Sequence, residues 1–279
     1  MRDLLTIVAG LLIAVLTAAL VGPAFVDWTA HRDFVEARLT QALGARVTTR
    51  GAIDVSLLPV PRLSVDGLAL KTQALSIESQ ALTVELAVAP LLRGEFRFME
   101  ASLAQPKIAL DLDQLHLRAD EARDMQFERL EIKRGSVVLR ASGRDVAQLD
   151  ALDLQGEASS LIGPFKGQGT FARDEKRVSF RFNTSMVEGE RLRFKLISDE
   201  MATLPRMELD AAFLFDKSPR VEGQLQVTAT QPAPWRLAGP VTVTAMQAQM
   251  ESADLRMGGE EGALVLNGQW QWTFAPASV

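Results

Sequence analysis

From Arg46 to the end of the chain, apolar and polar residues alternate with a period of two. Leu82, Val84, Leu86 and Val88 stand against Thr83, Glu85, Ala87 and Ala89, and Ile108, Leu110 and Leu112 stand against Ala109, Asp111 and Asp113. Later runs are cleaner. Val178, Phe180 and Phe182 oppose Ser179, Arg181 and Asn183, and Leu192, Phe194 and Leu196 oppose Arg191, Arg193 and Lys195. Met207, Leu209, Ala211, Phe213 and Phe215 form another run, and Leu264, Leu266, Trp270, Trp272 and Phe274 a last one. Residues two apart share one face of a strand, so each run predicts a strand with one apolar and one polar face. Turn signals separate the runs at Gly143, Gly156, Gly163-Pro164, Asp174-Glu175-Lys176, Ser218-Pro219 and Gly239-Pro240. The pattern predicts an antiparallel meander, and a sandwich, a barrel or an open curved sheet would all satisfy it. No later helical run is long enough to cover the apolar faces. They must be buried on the sheet itself or on a ligand.

Before residue 46 the pattern is different. Leu4–Val26 contains no charged side chain. As a helix rising about 1.5 Å per residue it would reach roughly 35 Å, enough to cross a hydrocarbon core with some tilt. The run is long for a cleaved signal, and Ala18-Ala19-Leu20 and Gly22-Pro23-Ala24 are poor cleavage sites. Residues 1–26 are therefore expected to be a retained transmembrane anchor. The minute tail ahead of it favours a cytoplasmic N-terminus, with the folded mass exported. Trp28 suits the membrane–water interface. Residues 29–43 read as a helix capped by Thr29 and ended by Gly44, with Phe34, Val35, Leu39, Ala42 and Leu43 on one face. The expected organisation is an anchor over 1–26, a juxtamembrane helix within 27–45 and a sheet over 46–279.

Composition narrows the chemistry. The 279 residues are 47% hydrophobic, enough for a sizeable core. The absence of cysteine excludes disulfides, thiolate metal sites and a cysteine nucleophile. A net charge of −5, with Lys and Arg scattered, argues against nucleic acid as a partner. The chain has no GxSxG, HExxH, P-loop or GxGxxG motif. Gly167-Gln168-Gly169 reads as a strand-edge bend, and His31 and His116 stand far apart as structural or surface residues. Asp111 and Asp113 fall on the solvated face of a strand. Glu260-Glu261 and the sequon Asn183-Thr184-Ser185 are weak signals. Arg191, Arg193 and Lys195 are either an ordinary solvated face or a contact for anionic headgroups. The expectation is a protein that is not an enzyme and needs no cofactor or metal.

Several segments together resemble the AsmA family of inner-membrane-anchored periplasmic proteins. They are the apolar span followed by Val26-Asp27-Trp28, then Leu43-Gly44-Ala45-Arg46-Val47, then Gly51-Ala52-Ile53-Asp54-Val55-Ser56-Leu57-Leu58-Pro59-Val60-Pro61. Pro90-Leu91-Leu92-Arg93-Gly94-Glu95, with Pro106 opening the next strand, resembles a second landmark. Ser160-Leu161-Ile162-Gly163-Pro164-Phe165 resembles a third. Members are usually longer, so the resemblance implies a short member or the N-terminal part of one. It also implies likeness to chorein and bridge-like lipid transfer proteins, whose elongated, curved sheet forms a trough with an apolar interior. On that reading the lining candidates are Leu82, Val84, Leu86, Ile108, Leu110, Val178, Phe180 and Phe182. Leu192, Phe194, Leu196, Leu209, Phe213 and Phe215 complete the set. The alternative for them is the closed core of a sandwich or barrel. The implied role is binding or transfer of phospholipid in support of outer-membrane and envelope biogenesis. The alternative role is a scaffold that meets outer-membrane or envelope assembly proteins through its sheet edges.

Overall fold

Backbone pairing gathers sixteen strands into one sheet, and 68% of the chain is strand. The structure, a computed structural model, describes residues 10, 11, 14, 17, 22–91, 98–115, 127–141, 143–160, 163–173, 176–201, 204–215, 219–258 and 264–273. The expected anchor falls almost wholly outside these residues. Among the described residues no helix is long and apolar enough to cross a membrane.

The chain enters through two 3-10 turns, Gly22–Phe25 and Trp28–His31, and then helix α1 (Arg32–Leu43). The Asp27 carboxylate caps the second turn, accepting from the Thr29 and Ala30 N–H groups at 3.0 and 3.3 Å. Thr29 is therefore not the cap expected of it. Its hydroxyl instead accepts the Ile53 N–H at 3.2 Å and ties the entry to the sheet. Gly44 ends α1 in the left-handed region at φ 66, as its place in the sequence required.

The first strands are β1 (Arg46–Thr49), β2 (Ile53–Ser56), β3 (Arg62–Lys71) and β4 (Leu75–Leu86), followed by the single turn α2 (Val88–Leu91). Next come β5 (Phe98–Ala104), β6 (Lys107–Asp111), β7 (Phe127–Ala141) and β8 (Arg144–Ala158). The remainder is a plain antiparallel meander. It runs through β9 (Phe165–Arg173), β10 (Lys176–Thr184), β11 (Arg191–Ser198) and β12 (Arg206–Leu214). It ends with β13 (Arg220–Ala229), β14 (Trp235–Val243), β15 (Gln247–Met257) and β16 (Leu264–Thr273).

The sheet is mixed rather than purely antiparallel. β5 and β6 are two halves of one broken strand: both pair antiparallel with β4 and parallel with β7. The break lies at Gln105-Pro106, where Gln105 has φ 49 and proline supplies no N–H to a ladder. β1 and β2 likewise share the outer side of β3. A parallel step needs a crossover that period-two reading cannot foresee.

Two expected turns prove to be strand interior. Gly156 lies within β8, and Gly239-Pro240 lies within β14, where the register to β15 shifts between Ala238 and Thr242. A proline is tolerated inside a sheet at such a bulge. Gly143, at φ 71, does turn the chain between β7 and β8.

Two of the most deeply buried side chains lie near the two ends of the sheet. Val65 is 0% exposed under α1, with Val35 and Ile53 beside it. Met250 is also 0% exposed, packed with Leu237, Val241 and Ala253. Met250→Ala is expected to lower the unfolding free energy by about 2–5 kcal/mol. The check is a fall in urea midpoint at unchanged slope.

Candidate functional site: a continuous apolar face

Strand register decides which side chains share a face. One row of partners crosses the entire sheet. It starts with Ile53, Val65, Leu82, Leu103 and Ile132 on β2, β3, β4, β5 and β7. It continues through Leu154, Gly169, Phe180, Ser198 and Met207 on β8 to β12. It closes with Val227, Leu237, Leu255 and Leu266 on β13 to β16. A neighbouring row joins Val84, Ala101 and Leu130 to Phe182, Leu196, Leu209 and Leu225 by way of Gly156 and Gly167.

The first half of this face is held together by bulges. Apolar positions slip phase between Val65 and Leu68, between Ile132 and Gly135, and between Leu149 and Leu152. Left-handed residues mark the slips: Gly67 at φ 65, Gln105 at 49, Arg134 at 51 and Ala151 at 48. Between β7 and β8 the register shifts on either side of Gly135, where one extra residue resets the parity and bends the strand. β3 and β4 stay in step across the Val65–Leu68 slip, and Leu70 and Ile77 still pack in one cluster with Leu82 and Leu103. Beyond the slips lie Leu70, Ile77, Ile108 and Val137 in one row, with Leu75, Leu110 and Leu139 in the next.

The sequence-derived candidates fall as follows. Leu82, Val84, Ile108, Leu110, Phe180, Phe182, Leu196 and Leu209 lie in the rows just described. Leu86 pairs with Phe98, Val178 with Phe171, Phe194 with Ala211 and Leu192 with Phe213. Phe215, just past β12, is buried with Val187 against Leu192 and Phe213. Val178 and Phe215 are buried, whereas Phe180, Phe182, Leu192, Phe194 and Leu196 are half-buried. Among the described residues from 22 onward, α1 is the only helix longer than a single turn. It packs on β1 with Leu39 and Leu43 against the Val47–Leu70 cluster, leaving the middle of the face without a helical cover.

The glycines of β9 belong to this face and were misread as a bend. Gly169 pairs with Phe180 and Gly167 with Phe182. A Cβ on Gly167 would sit 2.8 Å from the Phe182 ring and 2.9 Å from the Gln155 carbonyl oxygen. The Phe180 and Phe182 centroids are 6.3 Å apart, and Phe171 stands 5.8 Å from Phe180. The rings thus lie over bare backbone. The available signal was the match of Gly-x-Gly to Phe-x-Phe across one hairpin.

The family-motif residues cluster near the entry. Trp28 packs with Val35, Ile53 and Val65. Gly51 runs so close to Asp66 that an added Cβ would clash with the Asp66 side chain. Leu57, Leu58, Pro59 and Pro61 form the turn between β2 and β3, with a cis Leu58–Pro59 bond. Leu91 ends α2, and Leu92, Arg93 and Gly94 lie outside the described residues. Gly163, at φ 95, precedes the cis Pro164 ahead of β9.

The opposite face is polar and carries paired charges. Lys195 and Glu208 meet at 2.5 Å, Arg177 and Asp153 at 2.7 Å, and Lys133 and Glu131 at 2.9 Å. The hydrogen bond from Lys195 holds the Glu208 carboxyl below its usual range, and Glu208 raises Lys195 in turn. Two open depressions of about 510 and 720 Å³ lie here, lined by Arg129, Lys166, Arg181, Lys133, Asp153 and their neighbours. A strongly twisted sheet is saddle-shaped, so each of its faces is concave along one diagonal. Among the described residues no group of His, Cys, Asp and Glu could hold a metal ion. Arg191 and Arg193 are exposed on this face beside Lys195. His116 and Glu260-Glu261 lie outside the described residues.

Asp153 secures the β7 bulge. Its carboxylate accepts the Arg134 N–H at 2.8 Å, and this bond, with Arg177 adding to it, lowers its pKa from the ordinary 3.8. A depressed folded-state value stabilises the fold above the unfolded pKa, and that stability is lost as pH falls through the folded value. Asp153→Asn is therefore expected to reduce the fall in urea midpoint from about pH 5 downward. An unchanged acid limb would show that the carboxylate does not hold the bulge.

In comparison with known proteins, residues 1–116 match the model of the AsmA family. No curated protein and no solved structure matches the chain.

Proposed function

With the AsmA assignment supported over residues 1–116 as premise, we propose that the chain is a non-catalytic phospholipid carrier anchored in the bacterial inner membrane by residues 1–26. The sheet lies in the periplasm, and its apolar face binds acyl tails in support of envelope biogenesis. The observation that carries this reading is the pair of adjacent, largely apolar rows, one running from β2 to β16 and one from β4 to β13, whose phenylalanines Phe180 and Phe182 are half-buried without a helix over them among the described residues. Each methylene moved out of water contributes about 0.8 kcal/mol. Partial cover of two tails on such a face is enough for retention, with headgroups left in water at the rim.

Face-specific crosslinking tests the carrier reading. A photoreactive phenylalanine analogue at position 182 in membranes is expected to form phospholipid adducts, and one at 181, on the polar face, is not. Phe194→Asp in the position-182 background should cut the adduct yield several-fold with folding intact. Equal yields at 181 and 182 would sink the carrier.

A second reading, a scaffold working through sheet edges, is favoured by β16. This terminal strand, Leu264–Thr273, has no charged residue or proline, and its outer side has no partner among the described strands. Leu264, Val265, Leu266 and Trp272 are exposed. Natural edges are usually blunted by charge, proline or brevity, and the four-residue β1 edge beside α1 fits that rule. If edge pairing is the function, Gln269→Lys with Gln271→Lys abolishes envelope support and leaves position-182 adducts unchanged. If the trough is the function, that variant remains active.

A further inference from the structure

Three segments remote in sequence bring exposed apolar side chains to one end of the first strands. Phe25, 85% exposed, ends a 3-10 turn that packs against β2, and the exposed Val26 follows it. Leu58, 51% exposed, lies in the turn leaving β2, where the Ser56 hydroxyl donates to its carbonyl at 2.8 Å. The Pro61 carbonyl at the end of that turn accepts the Leu86 N–H at 2.9 Å. This bond sets the turn beside the start of α2, where Val88 is 48% exposed.

The patch is free of charge. Residues 57–61 read Leu-Leu-Pro-Val-Pro, and residues 87–89 read Ala-Val-Ala. Of the ionic groups that flank these segments, Arg62 and Glu85 pair with each other at 2.5 Å, and the Asp27 carboxylate, next to Val26, is taken up in capping the Trp28–His31 turn. Exposed apolar residues scattered singly need no explanation, but a convergent uncharged set does.

We infer that this rim rests on a phospholipid bilayer surface, so that the first strands of the sheet are seated on the membrane rather than held off it by a tether. The occupant follows from continuity. The uncharged run Leu4–Val26 ends in Phe25 and Val26, so whatever phase takes up that run lies against the patch. A protein partner would leave the run and the patch as two unrelated apolar features. The bilayer accounts for both. Seating also has a consequence for the site. Leu86, Phe98 and Phe127 are successive partners across β4, β5 and β7, and the Phe98 and Phe127 rings are stacked with centroids 5.2 Å apart. They place the apolar face next to the rim, and a tail leaving the bilayer there need not cross water. The inference rests on the anchored reading proposed above and adds to it the contact surface.

The chain has no cysteine, so single-cysteine variants of the full chain report position cleanly. Leu58→Cys and Val88→Cys carry a bimane label, with Met257→Cys, exposed on β15, as the distant control. The probes are phosphatidylcholine–phosphatidylglycerol vesicles containing doxyl-labelled lipid. An apolar face at an interface sinks ~5–10 Å into the headgroup boundary. Labels at 58 and 88 are therefore expected to be quenched several-fold more than the label at 257 in chains that float with the vesicles. Flotation with labels at 58 and 88 quenched no more than the control overturns the seating and leaves the anchor standing. Failure to float overturns both. Adducts at position 182 are scored separately, so loss of the carrier reading is distinguishable from loss of the seat.

Discussion

An apolar face that the described chain does not cover is the constraint on which the rest of this structure depends. Pairing sixteen strands edge to edge satisfies the backbone but leaves two faces, one of them almost wholly apolar. α1 shelters only the first strands. There the Arg32 guanidinium donates to the Thr49 and Gly51 carbonyls and Glu36 accepts the Thr49 N–H at 2.6 Å, clasping helix to sheet. At the far end Met250 and its neighbours close another small core. Between the two, phenylalanine rings lie over glycine backbone and remain half-buried. Val65 and Met250, both 0% exposed, centre cores near the two ends, while Phe180 and Phe182 in the middle stay half-buried and open to another role.

The polar face contributes solubility more than stability. Its ion pairs are largely exposed, as with Arg177–Asp153 and Arg62–Glu85, and exposed pairs are worth about 0–1 kcal/mol each. Asp153 is different in kind because its partner is a backbone N–H at a strained residue, so its charge supports chain geometry. The β7 bulge that it helps to hold belongs to the phase reset across which Leu70 and Ile77 pack in one cluster with Leu82 and Leu103. Without that reset, half of each early strand would turn its apolar residues toward water.

The same bulges mark the limit of what the sequence disclosed. Strands β10 to β12 were legible because Val178, Phe180 and Phe182, or Leu209 and Phe213, keep phase from end to end. β7 and β8 were not. Phe127, Leu130, Ile132, Gly135 and Val137 break step twice, and no fixed period describes them. The parallel pairing of β5 with β7 depends on a crossover rather than on any face pattern, and Gly239-Pro240 resembles a turn in every local respect. The choice among sandwich, barrel and single sheet lay in long-range pairing, which alternation does not encode. The lining of the face was more accessible than its architecture, because apolar identity at period two survives whichever sheet it joins.

A floor of phenylalanine over glycine has a chemical consequence for the proposed carrier. Bare backbone at Gly156, Gly167 and Gly169 lets the rings of Phe180 and Phe182 cover the neighbouring strand instead of framing separate pockets. Apolar contact over such a surface scales with area and is indifferent to direction. A tail lying there would meet similar energy at each step from β8 to β13, a condition that favours movement along the face over capture at one point. The proposed carrier would therefore combine two unlike parts: a permissive floor supplied by period-two strands, and an uncharged apolar rim supplied by the turns around Leu58 and Val88.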